Sequence, residues 1–239
     1  MEQTLIIIPT YNEAENIEAV ITSVFATKLD LNILVVDDKS PDGTGALVIG
    51  LMTTYKESLF IESRSQKSGL GSAYVHGFKW ALRRKYDYIF EMDADFSHDP
   101  SELSPMMELL KANVDVVIGS RYVNGVNVVN WPLNRILLSY FASIYVQLIT
   151  AMPVKDATAG FIGYKRIVLE SIILDEIKFV GYAFQIELKY KSWVKKFKLH
   201  EHPIIFTNRA LGKSKMSSNI IWEALYGVLF LRLNKQKFK

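Results

Sequence analysis

The 239-residue chain carries 28 Lys+Arg against 25 Asp+Glu, a net charge of +3 at pH 7, with 49% hydrophobic residues and no cysteine. That composition allows one continuous domain with a sizeable core. It excludes a disulfide framework, thiol catalysis and Cys-based zinc sites, and the mild, dispersed charge argues against a dedicated nucleic-acid binder. A chain without cysteine suits a reducing cytosol, and the apolar run Leu5 to Ile8 is too short for a signal peptide or a membrane span.

Thr4 to Pro9 reads as a buried strand, and Ile17, Val20, Ile21, Val24 and Phe25 recur at helical spacing behind the polar Tyr11-Asn12-Glu13. Leu31 to Val36 is a second strand, ending in Asp37-Asp38 and the turn-rich Ser40-Pro41-Asp42-Gly43-Thr44, with a helix over Ala46 to Tyr55. Ser58 to Ser63 forms a third strand, followed by Gly69-Leu70-Gly71 and a helix from Ser72 to Arg84. Tyr88 to Met92 is the fourth, and Asp115 to Gly119 the fifth. Between them Asp99-Pro100-Ser101 has the pattern of an N-cap with proline at the first helical position. Strands alternating with helices predict an α/β fold, a doubly wound, mostly parallel sheet whose ligands bind outside the carboxyl ends of the strands.

Asp93 and Asp95 leave the end of the fourth strand with one small residue between them. Side chains alternate along a strand, so the two carboxylates face one point, where a hard divalent cation can sit between them and a phosphate; a solvated turn is the alternative. The dinucleotide fingerprint is missing: Pro9-Thr10-Tyr11-Asn12-Glu13 follows the first strand, and Tyr74 stands where Gly69-Leu70-Gly71 needs a third glycine. Gly212-Lys213-Ser214 lacks the strand and glycine spacing of a phosphate loop. What remains is a nucleotide held by side chains and metal.

The segments Pro9 to Asn16, Asp37 to Thr44, Gly69 to Tyr74, Met92 to His98 and Gly119 to Tyr122 together resemble the GT-A glycosyltransferases of family 2. More narrowly they are similar to the dolichyl (polyprenyl) phosphate mannosyltransferases. The likeness continues through Asn130-Trp131-Pro132, Asp156 to Phe161, Gly181 to Glu187 and Arg209 to Lys215, and so spans nearly the whole chain. It implies a single GT-A domain, with residues 1–122 binding the nucleotide sugar and 123–239 facing the acceptor and the membrane. It also implies inverting, metal-dependent transfer of mannose from GDP-mannose to a polyprenyl phosphate, with Mg²⁺ or Mn²⁺ as cofactor.

By that resemblance Pro9, Tyr11, Glu13, Val36 and Asp38 hold the guanosine, and Asp93 and Ala94 contact the nucleotide. Asp95 and Ser97, with Asp93, ligate the metal, and Arg121, Arg209 and Lys215 surround the phosphates. Asp95 and Arg121 are the residues expected to carry catalysis. Arg121, Arg135 and Ser139 match positions near the acceptor phosphate. Asp156, Gln185 and Glu187 are assigned to sugar binding or positioning, with capping or salt-bridging as the alternative for the two acids. Other readings are glucose transfer from a UDP-sugar to a polyprenyl phosphate, transfer to a glycan, and a non-catalytic nucleotide-sugar-binding subunit.

In the expected reaction two anions approach each other across the sugar. At about 5 Å and an effective dielectric of about 20, each unit-charge pair repels by roughly 3 kcal/mol, so cations are required. A phosphate monoester, with a second pKa of about 6, is already nucleophilic near neutral pH and needs no dedicated base.

Ile136 to Val154 is uncharged, but Arg135, Ser139, Ser143, Gln147 and Thr150 share one side of a helix, opposite Leu137, Leu138, Phe141, Ile144, Tyr145 and Leu148. That pattern predicts a helix lying in a membrane interface, with Arg135 leading a polar track to the site; core packing or a protein interface is the alternative. Ile220 to Leu233 is too short to span, and Lys235, Lys237 and Lys239 follow as a basic tail suited to anionic lipids. Peripheral contact with the cytoplasmic membrane face, a possible membrane-protein partner and no nucleic-acid partner are therefore expected. His98 falls in the family's Ser-His segment, while His200 and His202 flank a late strand and read as structural. Trp80 and Trp193 read as core; Trp131 and Trp222 read as interface anchors.

Overall fold

Alternation along the first strand divides the molecule into layers: Leu5 and Ile7 enter one apolar core, Ile6 and Ile8 the other. In the computed structural model, which describes residues 2–208 and 218–238, the elements follow one another as β1 (Thr4–Thr10), α1 (Ile17–Ala26), β2 (Asn32–Asp37), α2 (Thr44–Tyr55), β3 (Leu59–Ser63), α3 (Leu70–Arg83), β4 (Tyr88–Glu91), α4 (Leu103–Ala112), β5 (Val116–Ser120), β6 (Val128–Val129), α5 (Leu133–Thr150), β7 (Ile162–Lys165), α6 (Arg166–Ser171), α7 (Tyr182–Val194), β8 (Leu199–Pro203), β9 (Phe206–Thr207) and α8 (Ser218–Leu233). One core packs α3, α6 and α7 on the sheet; the other packs α1, α2 and α4 on the opposite face.

Seven strands lie in the order β3-β2-β1-β4-β7-β5-β8, and β6 pairs with β9 in a small second sheet. The five expected strands are all present, and β3-β2-β1-β4 are parallel. Sequence reading missed β7, which runs antiparallel to both β4 and β5. Its mid-strand Gly163 weakens the strand pattern, but a Cβ there would lie 2.5 Å from the Phe90 ring, so the close approach excludes a side chain. His200 and His202 lie within β8 rather than beside it. Gly69 (φ 95) and Gly71 likewise serve packing, since a Cβ on Gly71 would meet Phe184 at 2.6 Å.

Thr10 of β1 pairs with Asp37 of β2, and Ile7 with Glu91 of β4, so three carboxyl-terminal loops emerge on one rim. Because β7 is antiparallel, with Ile162 opposite Ile118, the segment leading into it returns to that same rim beside the end of β5.

Helix α5 starts and stops earlier than expected, beginning after Pro132 and ending where Ala151 turns left-handed (φ 59). Its polar side is the inward one: Ser143 and Thr150 are buried, while Leu133, Phe141 and Leu148 are 69%, 61% and 77% exposed. Tyr145 departs from the expected outward face and donates its hydroxyl to the Leu225 carbonyl of α8 (3.2 Å). On α8, Leu225, Tyr226, Leu229 and Leu233 are exposed as well, and Glu223 accepts the Val180 N–H at 3.0 Å. Among the described residues no helix is long and apolar enough to cross a membrane.

Candidate active site

The loops after β1 and β2 are joined through side chains. Backbone N–H groups of Asn12, Glu13 and Ala14 donate to Ser40 Oγ, Thr44 Oγ1 and Asp42 Oδ2, each at 3.0 Å. Asp37 organises this junction, accepting from Thr10 Oγ1 at 2.8 Å and from both the N–H and the hydroxyl of Ser40. The neighbouring Asp38 instead faces Arg64, whose Nε lies 3.1 Å away. Burial raises the Asp38 pKa, and the Arg64 charge opposes that rise. Pro9, Tyr11 and Glu13 are half-buried on this rim, with the Lys67 ammonium 4.2 Å from the Tyr11 ring centroid. Val36 departs from expectation: it is fully buried in the core and presents no surface to a ligand.

β4 ends at Glu91, so Asp93 and Asp95 sit in a turn rather than on the strand, and Phe96 takes a left-handed φ of 59°. The Asp93 N–H donates to His98 Nδ1 (3.1 Å) and the Ser97 N–H to Asp95 Oδ1 (3.1 Å). His98 stacks on Phe161 at 4.9 Å. Burial pushes its pKa down to about 4, so the imidazole is neutral and, with Nδ1 accepting, carries its proton on Nε2. The buried Tyr74 phenol is pushed well up, first by burial and then by the carboxylates of Asp93, Glu91 and Asp95, which marks this as an acidic corner. Asp93, Asp95 and Ser97 offer only oxygen donors, which fit a hard divalent cation; Ala94 between them is buried. Among the described residues no group of three or more His, Asp or Glu could hold a metal unaided, so phosphate oxygens would complete such a shell. Asp99 accepts the Ser101 N–H at 2.9 Å, the expected cap.

Across the rim, Arg121 follows β5. Its Nε and Nη2 donate to Asp156 at 2.7 and 2.6 Å, its backbone N–H donates to the same carboxylate at 2.9 Å, and Nη2 also reaches Thr158 Oγ1 at 2.8 Å. Burial pushes Asp156 up, but the charge and hydrogen bonds of Arg121 outweigh it and hold the carboxyl below its usual value. Asp156 therefore orients Arg121, the salt-bridging role. Glu201 of β8 supports it, accepting from Ser120 Oγ at 2.7 Å and from the Asp156 N–H at 2.9 Å. Behind this pair Lys189, fully buried, donates to the carbonyls of Ala157 (3.0 Å) and Ala159 (2.7 Å).

Gln185 and Glu187 are buried away from solvent. Gln185 donates to Glu91, which also accepts from the Tyr164 hydroxyl at 2.8 Å. Glu187 pairs with Lys191 at 2.8 Å and accepts the N–H groups of Lys178 and Phe179, a structural engagement rather than the sugar contact expected of it. An acid inside the apolar strand Tyr88-Ile89-Phe90-Glu91 was the signal for this buried network, and sequence reading passed over it.

Arg135, in the first turn of α5, donates from Nη1 to Asn208 (3.2 Å) and lies with its Cζ 3.9 Å from the Trp131 ring centroid. Ser139 is half-buried one turn further along α5. Trp131 is thus packed against the arginine and against Phe206 (5.3 Å), not presented as an outward anchor. Trp80 is core and Trp193 packs against it. Arg209, Lys213, Lys215 and Lys239 lie outside the described residues, as does the side chain of Trp222.

The family model for Glycosyl transferase family 2 matches residues 5–173. Polyprenol monophosphomannose synthase of Mycolicibacterium smegmatis is 46% identical over 227 residues, covering 95% of this chain and 86% of that protein. Undecaprenyl-phosphate mannosyltransferase of Micrococcus luteus is 40% identical over 226 residues, covering 95% and 92%. Among solved structures, glucosyl-3-phosphoglycerate synthase from Mycobacterium tuberculosis with Mn²⁺, UDP-glucose and phosphoglyceric acid is similar in fold, with a TM-score of 0.67 at 16% identity over 98% of this chain and 79% of that one. Its complex with Mg²⁺ and UDP has a TM-score of 0.66 at 17% identity over the same shares. Sheet order, rim and sequence likeness agree: the chain belongs to glycosyl transferase family 2, with the GT-A architecture, and is a glycosyltransferase.

Proposed function

We propose that this protein transfers mannose from GDP-mannose to a polyprenyl phosphate, working at a membrane surface. The observation that carries the reading is the juxtaposition on α5. Arg135, in the helix's first turn, lies over the same Trp131 ring as Arg121, while Leu133, Leu137, Leu138, Phe141 and Leu148 of the same helix face outward. A basic anion site next to an exposed apolar helix face suits a substrate with a charged head and a hydrocarbon tail. The curated relatives, named for mannose transfer to polyprenyl phosphates, support it over nearly the full chain.

In this reading Asp38 and the loop from Tyr11 to Glu13 receive the nucleoside, and Asp93, Asp95 and Ser97 would hold Mg²⁺ or Mn²⁺. The bound ion supplies neutralisation of the departing diphosphate. Arg121 and Arg135 bring positive charge to the lipid phosphate and offset its repulsion from the diphosphate. Asp156, already committed to Arg121, fixes that guanidinium rather than taking a proton. The lipid phosphate oxygen attacks the anomeric carbon as the bond to the diphosphate breaks, and no protein base is required. Lys178, Lys235 and Lys237 beside α8 suit anionic lipid head groups.

The test is transfer by the purified protein with a panel of nucleotide sugars and polyprenyl phosphates, read by product mass with Mg²⁺, Mn²⁺ or chelator. Mannosyl product from GDP-mannose alone, lost in Asp95→Ala, is expected. Product from UDP-glucose instead, or wild-type turnover in Asp95→Ala under matched metal, overturns the donor or the metal assignment respectively.

A further inference from the structure

The segment that holds Arg121 is itself held from behind. Residues 151–161, between α5 and β7, form neither helix nor strand, so no ladder of their own fixes them. Within that stretch the chain alternates. The side chains of Asp156 and Thr158 turn to Arg121, accepting from Nη2 at 2.6 and 2.8 Å, while the carbonyls of Ala157 and Ala159 turn to Lys189 Nζ at 3.0 and 2.7 Å. Lys189 also donates to the Gln185 carbonyl, one turn back along α7, at 3.2 Å. An ammonium offers three donors and no acceptor, so these three carbonyls match it fully. Lys189 is 0% exposed and therefore touches no substrate itself.

The same turn of α7 also reaches the acidic side of the rim. The Gln185 side chain donates to Glu91 at the end of β4, and Asp93 follows Glu91 by two residues. One helical turn thus ties down both the strand that leads into the acidic turn and the segment that carries the partners of Arg121. Packing alone does not account for a lysine here, since burying an ammonium is far more costly than burying a methionine of similar length.

We propose that Lys189 is a positioning residue for the transfer reaction, which clamps residues 156–159 to α7 and so fixes, through Asp156 and Thr158, where the Arg121 guanidinium stands relative to the acidic turn. The inference rests on the reading of Arg121 as a cation serving the lipid phosphate, given above. Its physical reason is that a guanidinium is no better placed than the backbone that carries its partners. Glu201 seats Asp156 through its N–H at 2.9 Å, and Lys189 seats the residues that follow. Without the ammonium, the buried carbonyls of Ala157 and Ala159 lose their donor, and the segment shifts to find another. A misplacement of about 1 Å in a group that orients reacting partners costs up to about 100-fold in rate.

The test measures the Kd for a short-chain polyprenyl phosphate by titration, which needs no turnover, beside steady-state transfer with both substrates varied. It compares Lys189→Met, Lys189→Gln and Arg121→Ala, with Gly163→Ala as a destabilised control, at a temperature where melts show each variant folded. Lys189→Met should raise the lipid Kd about tenfold, equivalent to about 1.4 kcal/mol, with the KM for the nucleotide sugar within about twofold of wild type. Lys189→Gln, which keeps an amide donor for the same carbonyls, should raise it about threefold, and it carries the test if Lys189→Met does not fold. Gly163→Ala should leave the lipid Kd unchanged. In an Arg121→Ala background the Lys189 substitutions should add less than about twofold, because their effect runs through that arginine. A wild-type lipid Kd in the Lys189 variants, a fall in kcat alone, or the same loss with Arg121 absent overturns the proposal while the acceptor-site reading stands. If Arg121→Ala itself leaves the lipid Kd unchanged, that reading falls and this proposal with it.

Discussion

Replacing Asp156 with asparagine removes a buried charge while keeping its shape, and isolates what the pair with Arg121 contributes. The carboxylate is fully buried, Arg121 is 7% exposed, and three hydrogen bonds of 2.6 to 2.9 Å join them. With charge centres about 4 Å apart and an effective dielectric of about 20, the attraction is about 4 kcal/mol. That agrees with the roughly 3–5 kcal/mol lost when one partner of a buried pair is removed and the other charge is stranded. For a chain of this size the loss corresponds to a fall in Tm of about 8–16 °C. The assay is urea denaturation of wild type and Asp156→Asn, repeated between pH 7 and pH 3. Because Arg121 holds the folded-state pKa of Asp156 below its unfolded value, the stabilisation is complete above the unfolded pKa. It is lost as pH falls through the folded value, so the two curves should converge in acid. A paired replacement, Arg121→Met with Asp156→Leu, should recover much of the stability while abolishing transfer. A loss below about 1 kcal/mol at pH 7, or a gap that does not narrow in acid, would refute the account of Arg121 as a cation held by a buried anion.

Lys189→Met tests the buried amine behind that pair. Burial pushes the Lys189 pKa from 10.5 down to about 8, against the opposing charges of Asp156 and Glu91. The unfolded chain therefore binds more protons between those values, and the Lys189 contribution to stability rises by about 3 kcal/mol across that window. The variant should lack this rise, and identical pH slopes in urea melts of the two proteins would contradict it. Gly163→Ala should destabilise by about 1–3 kcal/mol, because the added methyl meets Phe90; an unchanged urea midpoint would refute that contact. Phe141→Asp with Leu148→Asp should leave the unfolding free energy within about 1 kcal/mol of wild type, since both side chains are already exposed. The same double variant should weaken flotation with anionic vesicles at least tenfold, and undiminished flotation would remove α5 from the membrane-facing surface.

Where a residue's role follows from local pattern, the sequence was readable. The strands from Leu5 to Ile8 and from Leu31 to Val36, the Asp99 cap and the polar stripe of α5 each announce themselves through periodicity or a turn residue. Roles that depend on a distant partner were not readable in that way. Asp156 looked like a possible sugar ligand until Arg121, far away in sequence, took both of its oxygens. Glu187 and Val36 belong to the interior because of what packs around them, and Glu91 was hidden by the apolar company that makes it unusual. Trp131 shows the same limit, since a tryptophan anchoring an outer surface and one lying against two arginines have identical local sequence. Strand β7 escaped because Gly163, required by Phe90, erases the alternation by which strands are found.

The antiparallel return at β7 has a consequence for how such a chain diversifies. Ser120 leaves the sheet and Ile162 re-enters it one strand over, so everything from Arg121 to Phe161 is an excursion whose two ends are anchored side by side. A detour of that kind can be lengthened or shortened at its exposed turns without breaking a rung of the seven-stranded sheet, while β6 and Asp156 tie it back to β9 and to Glu201 of β8. The parallel run β3-β2-β1-β4 lies to one side of that excursion in the sheet order, so variation confined to the detour's surface turns leaves its pairing in place.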